Sequence, residues 1–414
     1  MSNFAGMNQN SKSTSKAHGR RMSTAMVFIL MFSLVSLLSD MTHESASSIR
    51  GAFLALLGAS ATVIGFVSGL GELVGYGMRY IFGRLTDRTQ RYWPMIVVGY
   101  VLDIVAVPAL ALVGEHGWVA ACVLLIVQRM GKAIKKPAKD TVLSFAASQE
   151  GAGKSFAIQE MLDQIGAFLG PVLLYVIMLF RSGGSDYDRY TFCFAMLAIP
   201  GALTLVMLWL TRRRVPNPEK FEPTPTVFVP FKMKGRFVPY NAGISLCAFG
   251  FIDYSLVLMH VSRLHLFSVT TLPLLYAGAM LIDAFSALVF GYLFDRWKAL
   301  ALVASTLLSC TFALFIFGIS TRWAVILGVA LWGIGMGAQE SILKAAVTTL
   351  VPKQSRATGY GVFECSFGIF WFLGSWLLGA LYDVSLPAMI TVSLIAQVAA
   401  IPLFVLSHGY RTAS

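Results

Sequence analysis

Four polar side chains in the first apolar stretch share one face of a predicted helix. Their spacing of i, i+3, i+4 and i+7 places them on the same side: Asp40, His43, Glu44 and Ser47. Two carboxylates so close together and partly removed from water repel each other, so one is expected to hold a proton near neutral pH. Histidine titrates in the same range. The face predicts a proton relay or, alternatively, a polar face neutralised by cations on neighbouring helices.

A basic stripe follows in the fourth apolar stretch. Its four cations stand at offsets of 0, 3, 7 and 10 and therefore lie on one helix face: Arg129, Lys132, Lys136 and Lys139. Two interpretations remain open, namely an anionic substrate site and a gate that pairs with Glu160, Asp163 and Asp87. The gate is favoured for the deeper residues, such as Lys132. Arg129 lies higher and is expected to face a cavity.

Further ionisable residues recur at matching places in the two parts of the chain. Asp40 and Glu72 have counterparts in Asp253 and Asp283, and Glu160 and Glu364 each stand ten residues before a glycine. A charge at the centre of a membrane span costs roughly 2.5–3.5 kcal/mol on insertion scales, so such groups must face water or one another. The predicted substrate-binding and proton-binding residues are Asp40, His43, Glu44, Glu72, Arg129, Asp253, His260 and Asp283.

The elements that must position these groups are membrane-spanning helices. The chain of 414 residues is 57% hydrophobic and only 13% charged, whereas soluble domains carry about 25% charged residues. A spanning helix needs about 20 mostly apolar residues, and twelve such stretches fit. They lie near 24–48, 60–83, 94–113, 118–146, 155–180, 190–210, 238–260, 271–293, 299–319, 322–349, 357–381 and 386–407.

A charged hexamer occurs twice and indicates an internal duplication. It follows the second apolar stretch and returns after the eighth, as Gly83-Arg84-Leu85-Thr86-Asp87-Arg88 and Gly291-Tyr292-Leu293-Phe294-Asp295-Arg296. Asp87 and Asp295 each stand in a turn rich in cations, where a carboxylate accepts hydrogen bonds from helix N-terminal amides or from arginine. Such contacts form in one conformation and break in the other, which predicts a conformational latch.

The distribution of Lys and Arg predicts the topology. The net charge of +12 falls mainly in the tail, the central linker and alternate turns, so it reports membrane orientation rather than nucleic-acid binding. The opposite turns hold few cations, namely Arg50, Arg181, Arg189, Arg263 and Arg322. We expect a disordered cytoplasmic tail at 1–22, a six-helix half at 23–210, a proline-rich cytoplasmic linker at 211–237 and a second half at 238–408. Both termini are then cytoplasmic, and the absence of Asn-x-Ser/Thr acceptors together with short outer loops favours a bacterial inner membrane.

With both hexamers in place, the sequence resembles the major facilitator superfamily. The sequence Gly166-x-x-x-Gly170-Pro171 also resembles a motif of this family. The segment from Arg129 to Asp140 and the spacings Asp40-x-x-x-Glu44 and Glu340-x-x-x-Lys344 resemble a largely uncharacterised subgroup of it. The resemblance implies an all-α membrane protein with twelve transmembrane helices in two pseudo-symmetric six-helix halves. It also implies that the loop containing Asp87 latches the outward-facing state. It implies no substrate.

These observations predict a secondary active transporter that moves a small solute by alternating access, with proton coupling and with antiport or efflux favoured. No GxxxxGK[ST] motif is present, so a gradient must supply the energy. The expected partners are the lipid bilayer, the solute and protons, with no cofactor and a monomeric state. The expected latch and gate residues are Gly83, Asp87, Arg88, Gly291, Asp295, Arg296, Lys132, Glu160, Glu340, Lys344 and Glu364.

Alternatives come from other classes. Asp40, Glu44, Asp253 and His260 together would suit a metal or another cation as the substrate. A membrane-embedded enzyme would use His43, Glu44 and Ser45, but no HExxH or GxSxG pattern supports it. A sensor without transport activity is the remaining alternative. We therefore expect no enzymatic activity.

Overall fold

A computed structural model describes residues 22–150, 152–181, 183–221, 235–350 and 356–408. Within these ranges, side chains are described except at 87, 152–154, 157, 295, 299, 340–350, 356–361 and 408. The expected tail therefore lies outside the described residues, except for Met22. So do most of the expected linker and the side chains of Asp87, Asp295, Glu340 and Lys344.

The described chain is helical, without a strand in these ranges, and its helices form twelve spans. The first six are Thr24–Leu56, Ala61–Thr89, Tyr92–Ala109, Trp118–Glu150, Ala152–Phe180, and Asp186–Met196 with Ala198–Arg214. The second six are Phe237–Gly250 with Tyr254–Arg263, Leu272–Trp297, Ala299–Ser309 with Phe312–Gly318, Arg322–Leu350, Arg356–Val384 and Leu386–His408. In the described chain, ten spans are long and apolar enough to cross a membrane, and the fourth and tenth complete the twelve-helix arrangement.

Twelve crossings bring the start of the first span, the Arg214-to-Phe237 connection and the end of the twelfth span to one side of the membrane. We call this the near side and the opposite one the far side. The first span is longer than the sequence predicts and ends at Leu56 rather than near residue 48. Arg50, expected in a turn, therefore lies inside a span. Its charge suggested a loop position, but inside the span it has polar partners, which are described below.

The seventh span is broken at mid-depth, between Gly250 and Tyr254. Exposed backbone carbonyls are costly inside a membrane unless neighbouring side chains satisfy them. Here the Ser393 hydroxyl donates to the Gly250 carbonyl at 2.6 Å, and the Trp332 indole N–H donates to the Ile252 carbonyl at 2.9 Å. Asp253 caps the following helix by accepting a 2.8 Å hydrogen bond from the Ser255 amide. The break therefore places a carboxylate at mid-depth.

Glycines set the closest approaches between helices. A Cβ at Gly166 or Gly170 would collide with the Leu37 or Met41 carbonyl of the first span. The predicted GxxxG sequence is therefore a site of tight packing between the first and fifth spans, as small residues at this spacing allow. Gly51 approaches the Ser255 backbone in the same way and brings the two halves together on the far side.

Candidate functional site

A buried polar network joins the first, third and fourth spans. Lys135 forms an ion pair with Asp103 and donates a 2.9 Å hydrogen bond to the Ser39 hydroxyl. The Gln128 amide donates to Asp103 at 2.7 Å, and the Lys135 ammonium lies 3.9 Å from the centre of the Tyr100 ring. An isolated buried charge is expensive, so these contacts are what allows an ammonium and a carboxylate to remain inside the bundle.

His43 extends this network toward the interface between the halves. Its Nδ1 atom contacts the Gln128 amide nitrogen, and its Nε2 atom lies 3.5 Å from the Glu44 carboxylate. Because an amide NH₂ group only donates, Nδ1 accepts, and the proton of a neutral imidazole resides on Nε2, facing Glu44. His43 thus connects Glu44 to the buried Asp103.

Glu44 lies between the halves. Its carboxylate accepts a 2.5 Å hydrogen bond from the hydroxyl of Tyr276, which belongs to the eighth span. The Glu44 side chain is 17% exposed, whereas the His43 side chain is 6% exposed. Glu44 therefore contacts both the polar network of one half and a side chain of the other.

Asp40 has different neighbours from those that its spacing suggests. The charged groups near it are Asp163, Lys132 and Lys139 as well as Glu44. Lys139 lies 3.8 Å from Asp163. The two carboxylates of the predicted relay share a helix face, as expected, but Asp40 also has Lys132, Lys139 and Asp163 nearby, whereas Glu44 contacts His43 and Tyr276.

Two arginines form ion pairs deeper toward the far side. Arg129 lies 2.6 Å from Glu72, so two predicted cavity residues form a pair. Arg50 donates a 2.8 Å hydrogen bond from Nε to the Ser255 hydroxyl, and its Nη2 atom lies 3.6 Å from Asp253. The Arg50 contacts cross between the halves.

Of the predicted ionisable residues of the second half, Asp253 pairs with Arg50 of the first span, whereas His260 and Asp283 have other neighbours. His260 shares a 2.9 Å hydrogen bond with the Tyr382 hydroxyl and packs against Phe317. Asp283 is buried where Gly337 of the tenth span approaches it. Among the described residues, no three His, Cys, Asp or Glu side chains are close enough to hold a metal ion. Asp40, Glu44, Asp253 and His260 therefore do not form a metal-binding cluster among the described residues.

Of the expected gate partners of the basic stripe, Asp163 pairs with one of its cations, and the side chain of Asp87 lies outside the described residues. Glu160 is exposed, and among the described side chains no ion pair joins it to Lys132. Asp163, also expected to pair with the stripe, lies 3.8 Å from Lys139. Glu364 lies 3.9 Å from Arg79 of the second span and links the halves. The hexamer residues Arg88 and Arg296 are exposed, and Gly83 and Gly291 are partly buried.

Sequence reasoning missed several residues of the site, among them Arg50, Asp103, Gln128, Lys135 and Tyr276. A lone acid in an otherwise apolar third span was a usable indication, because such a charge requires a buried partner. Tyr276 carried no comparable indication, since a tyrosine in an apolar helix usually packs without a charged partner.

Comparisons with known proteins agree with this architecture. The family model described as Major Facilitator Superfamily matches residues 21–375 and 242–412. An uncharacterized protein of Mycobacterium tuberculosis (strain ATCC 25618 / H37Rv) is 38% identical over 384 residues, covering 91% of this chain and 92% of that protein. An uncharacterized MFS-type transporter of Methanocaldococcus jannaschii is 27% identical over 374 residues, covering 87% of this chain and 89% of that protein.

Solved structures share the fold at low sequence identity. The nucleoside transporter NupG superposes with a TM-score of 0.71 at 15% identity, covering 93% of this chain and 100% of that chain. A bacterial homolog of the human lysosomal transporter Spinster, in an inward-facing and occupied conformation, gives a TM-score of 0.68 at 15% identity, covering 93% and 96% of the two chains.

Proposed function

The chain belongs to the major facilitator superfamily, and from this premise we propose that it is a proton-coupled secondary active transporter. It moves a small solute by alternating access, in which two halves rock around a site near mid-depth. The observation that carries the proposal is Glu44. It is an acid inside a span that contacts His43 in its own half and Tyr276 in the other half.

The hydrogen bond between Tyr276 and Glu44 supports proton coupling, because its strength depends on whether Glu44 is ionised. The Tyr276 hydroxyl donates to Glu44, and an ionised carboxylate is the stronger acceptor. Protonation of Glu44 weakens this bond between the halves and favours their separation on the far side. A proton taken up there is carried to the other compartment when the halves close again. Asp40, beside Lys139 and Asp163, is the second proton-binding candidate.

Antiport with efflux is the favoured direction. Among the described residues, polar side chains join the halves in the far half of the membrane at Glu44 with Tyr276, Arg50 with Asp253, and Thr62 with Asp383. The contact of Arg79 with Glu364 lies in the near half. The far-half contacts close the central site from the far side. If the near side is cytoplasmic, as the Lys and Arg distribution predicts, a solute enters from the cytoplasm and is exchanged for external protons.

The remaining parts of the proposal concern location and regulation. We place the protein as a monomer in a bacterial inner membrane, with both termini and the 211–237 linker in the cytoplasm. Asp87 and Asp295, which the helix bounds place at the near-side ends of the second and eighth spans rather than in turns, latch the outward-facing state with Arg88 and Arg296. The cation-transport alternative is weaker, because Asp253 pairs with Arg50 and His260 with Tyr382 rather than with Asp40 or Glu44.

Reconstitution tests the proposal. Purified protein in proteoliposomes that contain a pH-sensitive dye is exposed to a panel of small solutes, and coupled transport appears as a solute-dependent change of internal pH. Glu44→Gln removes titration while it keeps the shape, so it should abolish solute-driven proton movement and spare downhill solute exchange. Asp40→Asn should act in the same direction.

The matched control is Glu115→Gln, because Glu115 is an exposed acid outside the spans. It should behave like the wild type. Solute-driven proton movement that persists at full size in both Glu44→Gln and Asp40→Asn would assign coupling to other residues, with Glu72 and Asp283 next in order.

A further inference from the structure

The amide group of Gln128 has a fixed orientation, which follows from the groups that it contacts. Its nitrogen, Nε2, lies 2.7 Å from Oδ1 of Asp103 and also contacts Nδ1 of His43. The other carboxylate oxygen of Asp103 pairs with Lys135. A carboxylate that pairs with an ammonium group only accepts hydrogen bonds, so the amide oxygen in this place would meet a second acceptor. The NH₂ group of Gln128 therefore points at Asp103 and at His43, with one N–H for each.

This orientation decides which nitrogen of His43 carries a proton. Nδ1 faces an N–H group and accepts from it, so the ring proton is on Nε2, which lies 3.5 Å from Oε1 of Glu44. A second proton, on Nδ1, would set two N–H groups against each other. Rotation of the Gln128 amide would relieve this conflict but would turn the amide oxygen toward Asp103. Asp103 thus opposes a second proton on His43, although its own contact is with Gln128.

Charged groups of both signs lie near His43. The cations are Arg50, Arg129, Lys132 and Lys135. The acids are Asp40 and Glu44 on the same helix face, and Asp103, which reaches His43 through Gln128. The cations repel an imidazolium and the acids attract one, so the two sets act in opposite directions. The hydrogen bond from Gln128, which needs a free lone pair on Nδ1, favours the neutral ring.

The place of the proton matters for the contact between the halves. Glu44 presents one carboxylate oxygen, Oε1, to His43 and accepts the hydrogen bond of Tyr276 at the other, Oε2. A proton on His43 would leave Glu44 ionised, so the bond to Tyr276 would persist and the halves would stay joined. A proton on Glu44 weakens that bond. Of these two events, the second links proton uptake to the separation of the halves.

We propose that Asp103 is a positioning residue for proton coupling: it orients Gln128, which keeps His43 neutral, so that the transported proton goes to Glu44. The inference rests on the proposed transport function and states how the polar network directs the proton within it. Lys135 holds Asp103 in place. His43 then presents a fixed N–H group to Glu44 and does not itself carry the proton.

Nitrogen-15 NMR of the full-length protein tests the state of His43 directly. The protein is labelled at histidine and reconstituted in lipid bilayers, and the chemical shifts of the ring nitrogens show which of them is protonated. The chain has six histidines, and His43→Gln assigns the signal by removing it. Between about pH 5 and pH 8, where a histidine ordinarily titrates, His43 should keep an unprotonated Nδ1 and a protonated Nε2.

Two variants test the roles of Gln128 and Asp103. Gln128→Glu replaces the NH₂ donor by a carboxyl group that can accept, so Nδ1 of His43 should gain a proton. Asp103→Asn combined with Lys135→Met removes both charges of the ion pair, so no buried charge is left unpaired. An asparagine at 103 can donate as well as accept, which frees the Gln128 amide to rotate. A measurable fraction of His43 should then carry a proton on Nδ1.

The matched control is Gln397→Glu, the same substitution at another buried amide. Gln397 lies in the twelfth span, where it donates to the Gly250 carbonyl at 3.2 Å. This variant should give the wild-type signal of His43. A protonated Nδ1 in the wild type, or a wild-type signal in Gln128→Glu or in the combined variant, would overturn the proposal. Each of the two variants is decisive alone if the other does not fold.

The proteoliposome assay separates this proposal from the proposed function. Gln128→Glu should lose solute-driven proton movement and keep downhill solute exchange, because a proton on His43 does not release Tyr276. Full solute-driven proton movement in Gln128→Glu with a protonated Nδ1 would overturn the positioning role while leaving proton-coupled transport intact. No proton movement in the wild type with any solute would instead count against the proposed function, whatever the histidine spectra show.

Discussion

The Tyr276 hydroxyl donates a 2.5 Å hydrogen bond to the Glu44 carboxylate, and the two residues belong to different halves of the protein. The Tyr276 ring is buried and packs edge-on against Tyr254, with 4.7 Å between ring centres. Any movement that separates the halves at this depth must break this bond. The predicted proton carrier is therefore part of a contact that alternating access has to release.

Tyr276→Phe removes the hydroxyl and keeps the ring. Hydrogen bonds to charged groups contribute about 1.5–3 kcal/mol, so the variant should lose part of the closure energy of the far side and melt at a lower temperature than the wild type. Tyr254→Phe, which changes the neighbouring ring without touching Glu44, is the control. Equal melting temperatures for the wild type and both variants would show that the Glu44 contact does not stabilise this conformation.

Asp383→Ala should open the far side. The Asp383 carboxylate, at the end of the eleventh span, accepts hydrogen bonds from the Thr62 amide at 2.8 Å and the Thr62 hydroxyl at 2.7 Å, and so caps the second span across the halves. Loss of a cap costs about 1 kcal/mol, which corresponds to a roughly fivefold shift in population. The measurement uses a background without the five native cysteines, with a cysteine introduced at Ser375, which is buried between these spans. This cysteine should react faster with a maleimide in Asp383→Ala than in the protein that keeps Asp383.

The control for that measurement is Asp186→Ala, an exposed far-side acid that pairs loosely with Arg189 at 3.7 Å. It should leave the reaction rate at Ser375 unchanged. A rate in Asp383→Ala no higher than in Asp186→Ala would mean that the cap does not hold the halves together.

Substitutions of Asp103 and Lys135 should have strongly non-additive effects on the melting temperature. Removing one partner of a buried ion pair typically costs about 3–5 kcal/mol, whereas replacing both by apolar groups is often nearly neutral. Asp103→Leu and Lys135→Met should each lower the melting temperature sharply, and the double variant should recover much of the loss. Additive effects of the two substitutions in a double-mutant cycle would contradict a coupled pair.

Labelling tests the orientation in the membrane. Glu219, in the connection between the halves, and Glu115, between the third and fourth spans, are both exposed and lie on opposite sides. With cysteines introduced singly at these positions, a membrane-impermeant maleimide added to intact cells should label only the one at 115. Labelling at 219 from outside would reverse the proposed topology and with it the favoured direction of transport.

The spans and the family resemblance follow from the sequence because membrane insertion depends on local apolar composition and because the two hexamers repeat within the chain. Helical periodicity also placed Asp40, His43 and Glu44 on one face. Periodicity fixes the direction in which a side chain leaves its own helix, and this property is local. The same reasoning failed for Arg50, since a charge near the end of a long apolar stretch resembles the start of a loop.

Only the tertiary structure decided which groups meet. Glu44 meets Tyr276 rather than Asp40, His260 meets Tyr382 rather than the first-span face, and Lys139 has Asp163 as its partner while Glu160 is exposed. These pairings depend on which helix lies opposite and at what height, and those are set by glycine-mediated approaches and the break in the seventh span. Such contacts join residues far apart in the chain, so the periodicity of a single helix does not predict them.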